Sequence, residues 1–195
     1  MVVFGDSTGN DSDEFVFLLA KQMSDHYNRP VLMHRWINSA YTAPLTIGAG
    51  GNAPINIWNG SVPGQTGDYA LTNLAKMAPD GLAVDLVMMN YGHNYKGVWN
   101  AEQTTLKLAQ AVDDKLGAKA MLYMLQNPEN PEADNSAAVV NLFRNLTKDS
   151  GYEAVDVYAA FKAKGDIAPL LVDNIHPNPA GSKVWADAVA PKLIR

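Results

Sequence analysis

One serine, one aspartate–histidine pair and two candidate hydrogen-bond donors stand out among the 195 residues as groups that together could perform acyl transfer. Ser7 follows the short apolar run Val2-Val3-Phe4 across Gly5, a residue that would let the backbone turn sharply and expose a nucleophile. Far along the chain, Asp173-Asn174-Ile175-His176 follows the apolar Leu170-Leu171-Val172. An aspartate three residues before a histidine can fold back in one turn, fix the imidazole tautomer and stabilise the imidazolium. Four histidines are present, at 26, 34, 93 and 176. Only His93 and His176 fall at expected strand ends. Acyl transfer also needs donors for the developing oxyanion, each worth roughly 3–4 kcal/mol in the transition state. Gly64, in the tight stretch Asn59-Gly60-Ser61-Val62-Pro63-Gly64-Gln65-Thr66, could offer its N–H, and Asn94, after Gly92-His93, its side-chain amide. Singly, each of these is also an ordinary loop, turn or capping residue.

The elements that must position these groups alternate between strand and helix. Val2–Phe4 reads as a strand, and Asp11 with Glu14 as a capping box opening a helix with Phe15, Leu18, Leu19 and Met23 on one face. Leu71, Leu74, Ala75 and Ala78 recur at helical spacing. Residues 83–91 form a nearly continuous apolar run, the mark of a strand covered on both faces. Asn100 and Gln103 open a helix with Leu106, Ala109, Val112 and Leu116 inward, ending at Gly117. Ala120–Leu125 is a further buried strand, Val139, Leu142, Phe143 and Leu146 mark a helix, and Val155 and Val157 alternate as a strand. Asn178-Pro179 reads as an N-cap and first-turn proline, before a terminal helix that buries Val184, Trp185, Ala188 and Val189. This pattern predicts an α/β chain: a three-layer α/β/α sandwich with a mostly parallel, flavodoxin-like central sheet of about five strands. Chemistry in such sheets gathers beyond the C-terminal strand ends. The pairing within residues 31–57 is left open.

Taken together, Gly5-Asp6-Ser7, Gly64 in its Asn-Gly-Ser-Val-Pro-Gly setting, Gly92-x-Asn94 and Asp173-x-x-His176 resemble the four blocks of the SGNH, or GDSL, hydrolases. Order and spacing match over essentially the whole chain. The resemblance implies Ser7 as nucleophile, His176 as base and Asp173 as its orienting partner. It also implies an oxyanion hole formed by the N–H groups of Ser7 and Gly64 and the Asn94 side chain. Two positions depart from the family pattern: Tyr95 follows Asn94 where an Asp is common, and His93 fills the variable place. Asp6, His93, Tyr95 and Trp99 are the residues expected to touch substrate.

Composition narrows the alternatives. At 21.1 kDa one domain spanning 1–195 is expected, burying about 70% of its unfolded surface. With 47% hydrophobic and 18% charged residues, the chain is not disordered. A net charge of −5 argues against nucleic-acid and anionic-membrane binding. No apolar run reaches the roughly 20 residues of a membrane span. Cysteine is absent, so thiol chemistry and Cys-ligated metals are excluded. His26 and His34 lack a clustered third ligand, and no metal or other cofactor is expected. Met1–Phe4 is too short and carries no basic group for a signal peptide, so the compartment is not fixed. Gly48-Ala49-Gly50-Gly51-Asn52-Ala53 matches G-x-G-x-x-A, but a strand-like run follows instead of the anion-binding helix. Asn10, Asn59 and Asn145 begin glycosylation triplets, two of them flanking Ser7 or Gly64.

The stretch 126–135 is polar and acidic and is expected to overhang the crevice, a poor wall for a long acyl chain. Trp36, Tyr41, Trp58, Tyr91, Tyr95 and Trp99 lie in candidate rim segments, where rigid aromatics would suit sugar faces. The reading is a serine esterase acting through an acyl-enzyme on a small ester or acylated-glycan substrate, with acetyl the expected acyl group. The alternatives are a lipase or thioesterase for longer chains, transfer to another alcohol, or a catalytically silent carbohydrate-binding module of the same fold.

Overall fold

Successive residues of the first strand enter two different cores. In the computed structural model, which describes residues 1–117, 120–131 and 134–194, β1 (Val2–Gly5) sends Val2 and Phe4 to one side of the sheet and Val3 to the other, all fully buried. The chain continues through α1 (Phe15–Tyr27), β2 (Val31–Ile37), β3 (Ala40–Tyr41), β4 (Leu45–Ile47), β5 (Ile55–Ser61), α2 (Gly67–Met77) and β6 (Leu86–Asn90). It ends with α3 (Val98–Leu116), β7 (Ala120–Leu125), α4 (Asp134–Ser150), β8 (Glu153–Asp156), α5 (Val157–Lys162) and α6 (Pro179–Leu193).

The same two-residue period runs through the central strands. Val87 and Met89 of β6 and Met121, Tyr123 and Leu125 of β7 face the layer of α2, α3 and α4. Met88, Leu122 and Met124 face the layer of α1, α5 and α6, where Phe15 stacks on Trp185 with ring centroids 4.7 Å apart. Apolar groups on both faces explain why these strands read as continuous apolar runs rather than alternating ones. No described helix is long and apolar enough to cross a membrane.

Among the described residues, eight strands form the sheet in the order β3-β2-β5-β1-β6-β7-β8, with β4 also against β2. Pairing is parallel from β2 through β8, and only β3 and β4 run antiparallel, on the outer edge of β2. The sheet is wider than expected because the uncertain segment 31–57 supplies β2, β3, β4 and β5. Its Gly-rich middle is a crossover, not a nucleotide loop: the Asn52 N–H donates to the Asn28 carbonyl at 3.2 Å as the chain passes to β5.

Several boundaries differ from the sequence reading. Glu14 does reach back to the Asp11 N–H at 2.7 Å, but α1 begins only at Phe15, so this half of a capping box closes the preceding turn. In α3 it is Leu108 that is buried, whereas Leu106 is 47% exposed. Val157 starts α5 instead of ending β8, because the Asp156 side chain accepts the Ala159 N–H at 2.8 Å and caps that helix. Asn178 caps α6 as predicted, accepting the N–H groups of Ala180 and Gly181.

Candidate active site

Register fixes the site before any side chain is considered. Gly5 pairs with Ser61 of β5 on one side and Asn90 of β6 on the other, so three loops leave the sheet edge side by side. They carry Ser7, Gly64 and Asn94. Gly5 is itself still in the strand. A Cβ there would lie 2.8 Å from Ser61 Oγ and 3.2 Å from Asn90 Cβ, so its role is close approach of neighbouring strands, not the sharp turn expected.

The fourth loop brings the distant pair to Ser7. Residues 172–176 form a turn closed by the Val172 N–H on the His176 carbonyl at 2.8 Å. It is pinned from below, where the Asn178 side chain donates to the Pro169 carbonyl at 2.8 Å. Within the turn, one Asp173 oxygen accepts the N–H groups of Ile175 and His176 at 2.8 and 2.7 Å, and the other accepts His176 Nδ1–H at 2.7 Å. His176 Nε2 then meets Ser7 Oγ at 2.8 Å across 169 residues of sequence. These donors, the His176 N–H foremost, then the Ile175 N–H and the imidazole, hold the Asp173 carboxyl down at about 2. Because Asp173 accepts from Nδ1, the lone pair of a neutral imidazole lies on Nε2, aimed at the serine hydroxyl.

The candidate oxyanion donors lie on either side. Gly64 has φ +71°, the left-handed region that glycine occupies without strain, with open space where a Cβ would be. Neither its N–H nor that of Ser7 donates to a protein acceptor among the described residues. The Asn94 amide donates to the Gln65 carbonyl at 3.2 Å and makes a long contact of 3.4 Å to Asp6 Oδ2. The Asp6 contact is the longer of the two.

Three of the four expected substrate contacts sit differently. Asp6 is fully buried. Its Oδ1 accepts the Thr8 N–H and hydroxyl at 3.1 and 2.8 Å, and its Oδ2 accepts the Gln126 amide at 3.0 Å. A carboxylate with such partners holds loops, not substrate. Tyr95 is also buried: its ring packs edge-on against Phe143 and its hydroxyl accepts the Gly67 N–H, tying this loop to the start of α2. The His93 ring bonds to the Asn127 carbonyl at 2.8 Å, which makes Nε2 its donor, while its N–H is held by Gln126 Oε1. Trp99, 74% exposed in the first turn of α3, remains at a surface.

Most of the other proposed rim aromatics are packing residues. Trp36 and Tyr91 are buried, and Tyr41 lies edge-on between Trp36 and Trp58. The polar stretch does run beside the histidine turn: Asn127 Nδ2 donates to the Ile175 carbonyl and the Asn130 N–H to the Asn174 carbonyl. Residues 132 and 133 of that stretch lie outside the described residues. Among the described residues no cluster of three or more His, Cys, Asp or Glu is placed to hold a metal ion.

Sequence reasoning missed Thr8, Asn90, Gln126 and Asn127, whose side chains link the loops that carry the candidate site. The rule that singled out Asn94, a polar residue just past a buried parallel strand, applies equally to Gln126-Asn127 after β7.

A hydroxyl, an imidazole and a carboxylate in one hydrogen-bonded line, at the C-terminal edge of a parallel sheet between two helix layers, define a serine hydrolase. The chain belongs to the GDSL-like lipase/acylhydrolase family, whose profile matches residues 1–189. No curated protein matches it in sequence. Among solved structures, it resembles a lipolytic G-D-S-L family protein from Veillonella parvula at 15% identity and TM-score 0.72, over 100% of this chain and 97% of that one. An acetyl xylan esterase from Geobacillus stearothermophilus is similar at 15% identity and TM-score 0.68, over 98% and 92% of the two chains. A two-domain esterase active on acetylated mannans is similar at 14% identity and TM-score 0.70, over 98% of this chain and 47% of that one. At these identities the likeness shows the fold.

Proposed function

We propose that this chain hydrolyses short-acyl carboxylic esters, O-acetyl groups on carbohydrate foremost, through an acyl-enzyme on Ser7. The observation that carries the reading is the unbroken line from Ser7 Oγ through His176 to Asp173, at 2.8 and 2.7 Å. Ser7 Oγ attacks the ester carbonyl carbon as His176 Nε2 takes its proton. The carbonyl oxygen becomes an oxyanion held by the N–H groups of Ser7 and Gly64 and by Asn94 Nδ2, which exchanges its long Asp6 contact for the stronger charge-assisted bond. As the tetrahedral intermediate collapses, His176 returns the proton to the leaving alcohol. Water repeats the sequence on the acyl-Ser7 ester, releasing the acid and restoring the hydroxyl.

The acyl and alcohol preferences rest on the surroundings. One cleft of about 270 Å³ is lined by Asp173, Asn174 and Ile175. Another of about 260 Å³ reaches Pro63 beside Gly64, where Asn10, Arg35 and Asn38 share the wall with Trp36, Ile37 and Val62. Both mix polar groups with apolar surface, a wall that suits a sugar's alternating hydroxyls and C–H faces better than a long acyl chain. The acetyl xylan and acetylated-mannan esterases that share the fold support the same choice. Incubation with acetylated xylan and acetylated mannan, with released acetate measured, tests it. Acetate release that disappears in Ser7→Ala is expected. Release from neither polymer, alongside rapid cleavage of octanoyl esters, would replace this reading with a lipase or thioesterase.

A further inference from the structure

Gln126 lies one residue past β7 and is 1% exposed, yet no catalytic step uses it. Its amide nitrogen faces Asp6 Oδ2 at 3.0 Å, Asn90 Oδ1 at 3.1 Å, the Asn90 carbonyl at 3.3 Å and Thr8 Oγ1 at 3.4 Å. Its carbonyl oxygen accepts the His93 N–H at 2.8 Å, one residue before Asn94. The backbone is shaped to receive it: a Cβ on Gly92 would fall 2.5 Å from Gln126 Oε1 and 3.1 Å from its Cδ. One buried amide thus joins the nucleophile loop to the loop that carries Asn94.

Asp6 gives this join a consequence for catalysis. It is a fully buried carboxylate, and on Oδ2 its partners are Gln126 at 3.0 Å and Asn94 at 3.4 Å. A buried carboxylate oxygen without a good donor is costly, so removal of the Gln126 donor would draw the Asn94 amide toward Asp6. That movement takes the amide away from where the oxyanion forms.

We infer that Gln126 is a positioning residue for the oxyanion site: by satisfying Asp6 and clamping the His93 N–H, it keeps the Asn94 amide free for the developing charge. The inference rests on the esterase reading given above.

The test uses p-nitrophenyl acetate hydrolysis and fluorophosphonate labelling of Ser7 by the whole chain. Gln126→Met should lower kcat about 10–100-fold with KM within about twofold, since only transition-state stabilisation is lost. In an Asn94→Ala background the same change should cost less than about threefold, because both act through one donor. Gln126→Glu supplies a second readout, and the deciding one if the Met variant fails to fold. Its carboxylate repels Asp6, whereas its protonated form donates to Asp6 and still accepts the His93 N–H. The ratio of its kcat to that of the parent should therefore rise as pH falls. Equal costs in both backgrounds, or a ratio independent of pH, would overturn the inference while leaving the parent's activity standing. A parent that neither hydrolyses the ester nor labels at Ser7 would remove the esterase reading, and this inference with it.

Discussion

Asp173 holds His176 at two points, one carboxylate oxygen on its backbone N–H and the other on ring Nδ1–H, each at 2.7 Å. The same carboxylate that sets the tautomer therefore also sets the turn on which the ring rides. With its carboxyl at about 2, Asp173 stays ionised through ordinary acid conditions. Since the folded value lies below the ordinary 3.8, the stabilisation is present above that range and is lost as pH falls toward 2. A carboxyl-carbon NMR titration should place the Asp173 inflection near 2, and one near 4 would mean the N–H bonds do not persist in solution. Asp173→Asn should lower kcat about 10²–10⁴-fold, because an amide facing Nδ1 can favour the wrong tautomer.

Asn94 and His93 are neighbours with separate tasks. Asn94→Ala should lower kcat about 10²–10³-fold with little change in KM, as expected for a donor used when charge develops. His93→Ala keeps the N–H that Gln126 holds and loses only the ring's bond to the Asn127 carbonyl. Its kcat should stay within about tenfold of the parent. The reverse order in steady-state kinetics would reassign the base to His93.

Acyl-chain preference should follow the small clefts beside Ser7, whose walls mix polar and apolar groups. Across p-nitrophenyl acetate, butyrate and octanoate, kcat/KM is expected to fall. A pocket that buried the added methylenes would instead gain up to about 0.8 kcal/mol for each. A steady rise through octanoate would point to the lipase reading.

The parallel sheet and the four site loops were legible in the sequence because apolar runs and loop motifs are local. Ser7, Gly64 and Asn94 fall just past the ends of strands, whereas Leu170-Leu171-Val172, expected as a strand before His176, forms a short 3-10 turn and an exposed Val172. What escaped was decided by contacts across the sheet. The burial of Asp6 depends on Thr8 and on Gln126, 120 residues away, and Tyr95 is drawn inward by Phe143 and the start of α2. β3 and β4 are too short to carry a pattern, and the edge they cover became visible only with the register of β2. Most of the aromatics expected at the rim were misplaced for the same reason: ring size marks a residue as useful in a core and at a sugar site alike.

Glu14 predicts a pH dependence of stability unrelated to catalysis. Burial raises its carboxyl from 4.5 to about 7. A carboxyl raised in the folded state favours folding in its protonated form, so stability should decline as pH rises from 4.5 toward 7. The unscreened bound is about 3 kcal/mol, and partial exposure reduces it to about 1–2 kcal/mol. Glu14→Gln keeps an acceptor for the Asp11 N–H and should flatten the decline in Tm between about pH 5 and about pH 8. An unchanged slope would assign the decline to other groups.

Ser7 carries the central claim, and peptide mass spectrometry after fluorophosphonate treatment tests it most directly. A single adduct on the peptide containing Ser7 is predicted, lost in Ser7→Ala together with ester hydrolysis while Tm is kept. An adduct on another residue, or Ser7→Ala turnover of p-nitrophenyl acetate within about tenfold of the parent, would contradict a Ser7 acyl-enzyme.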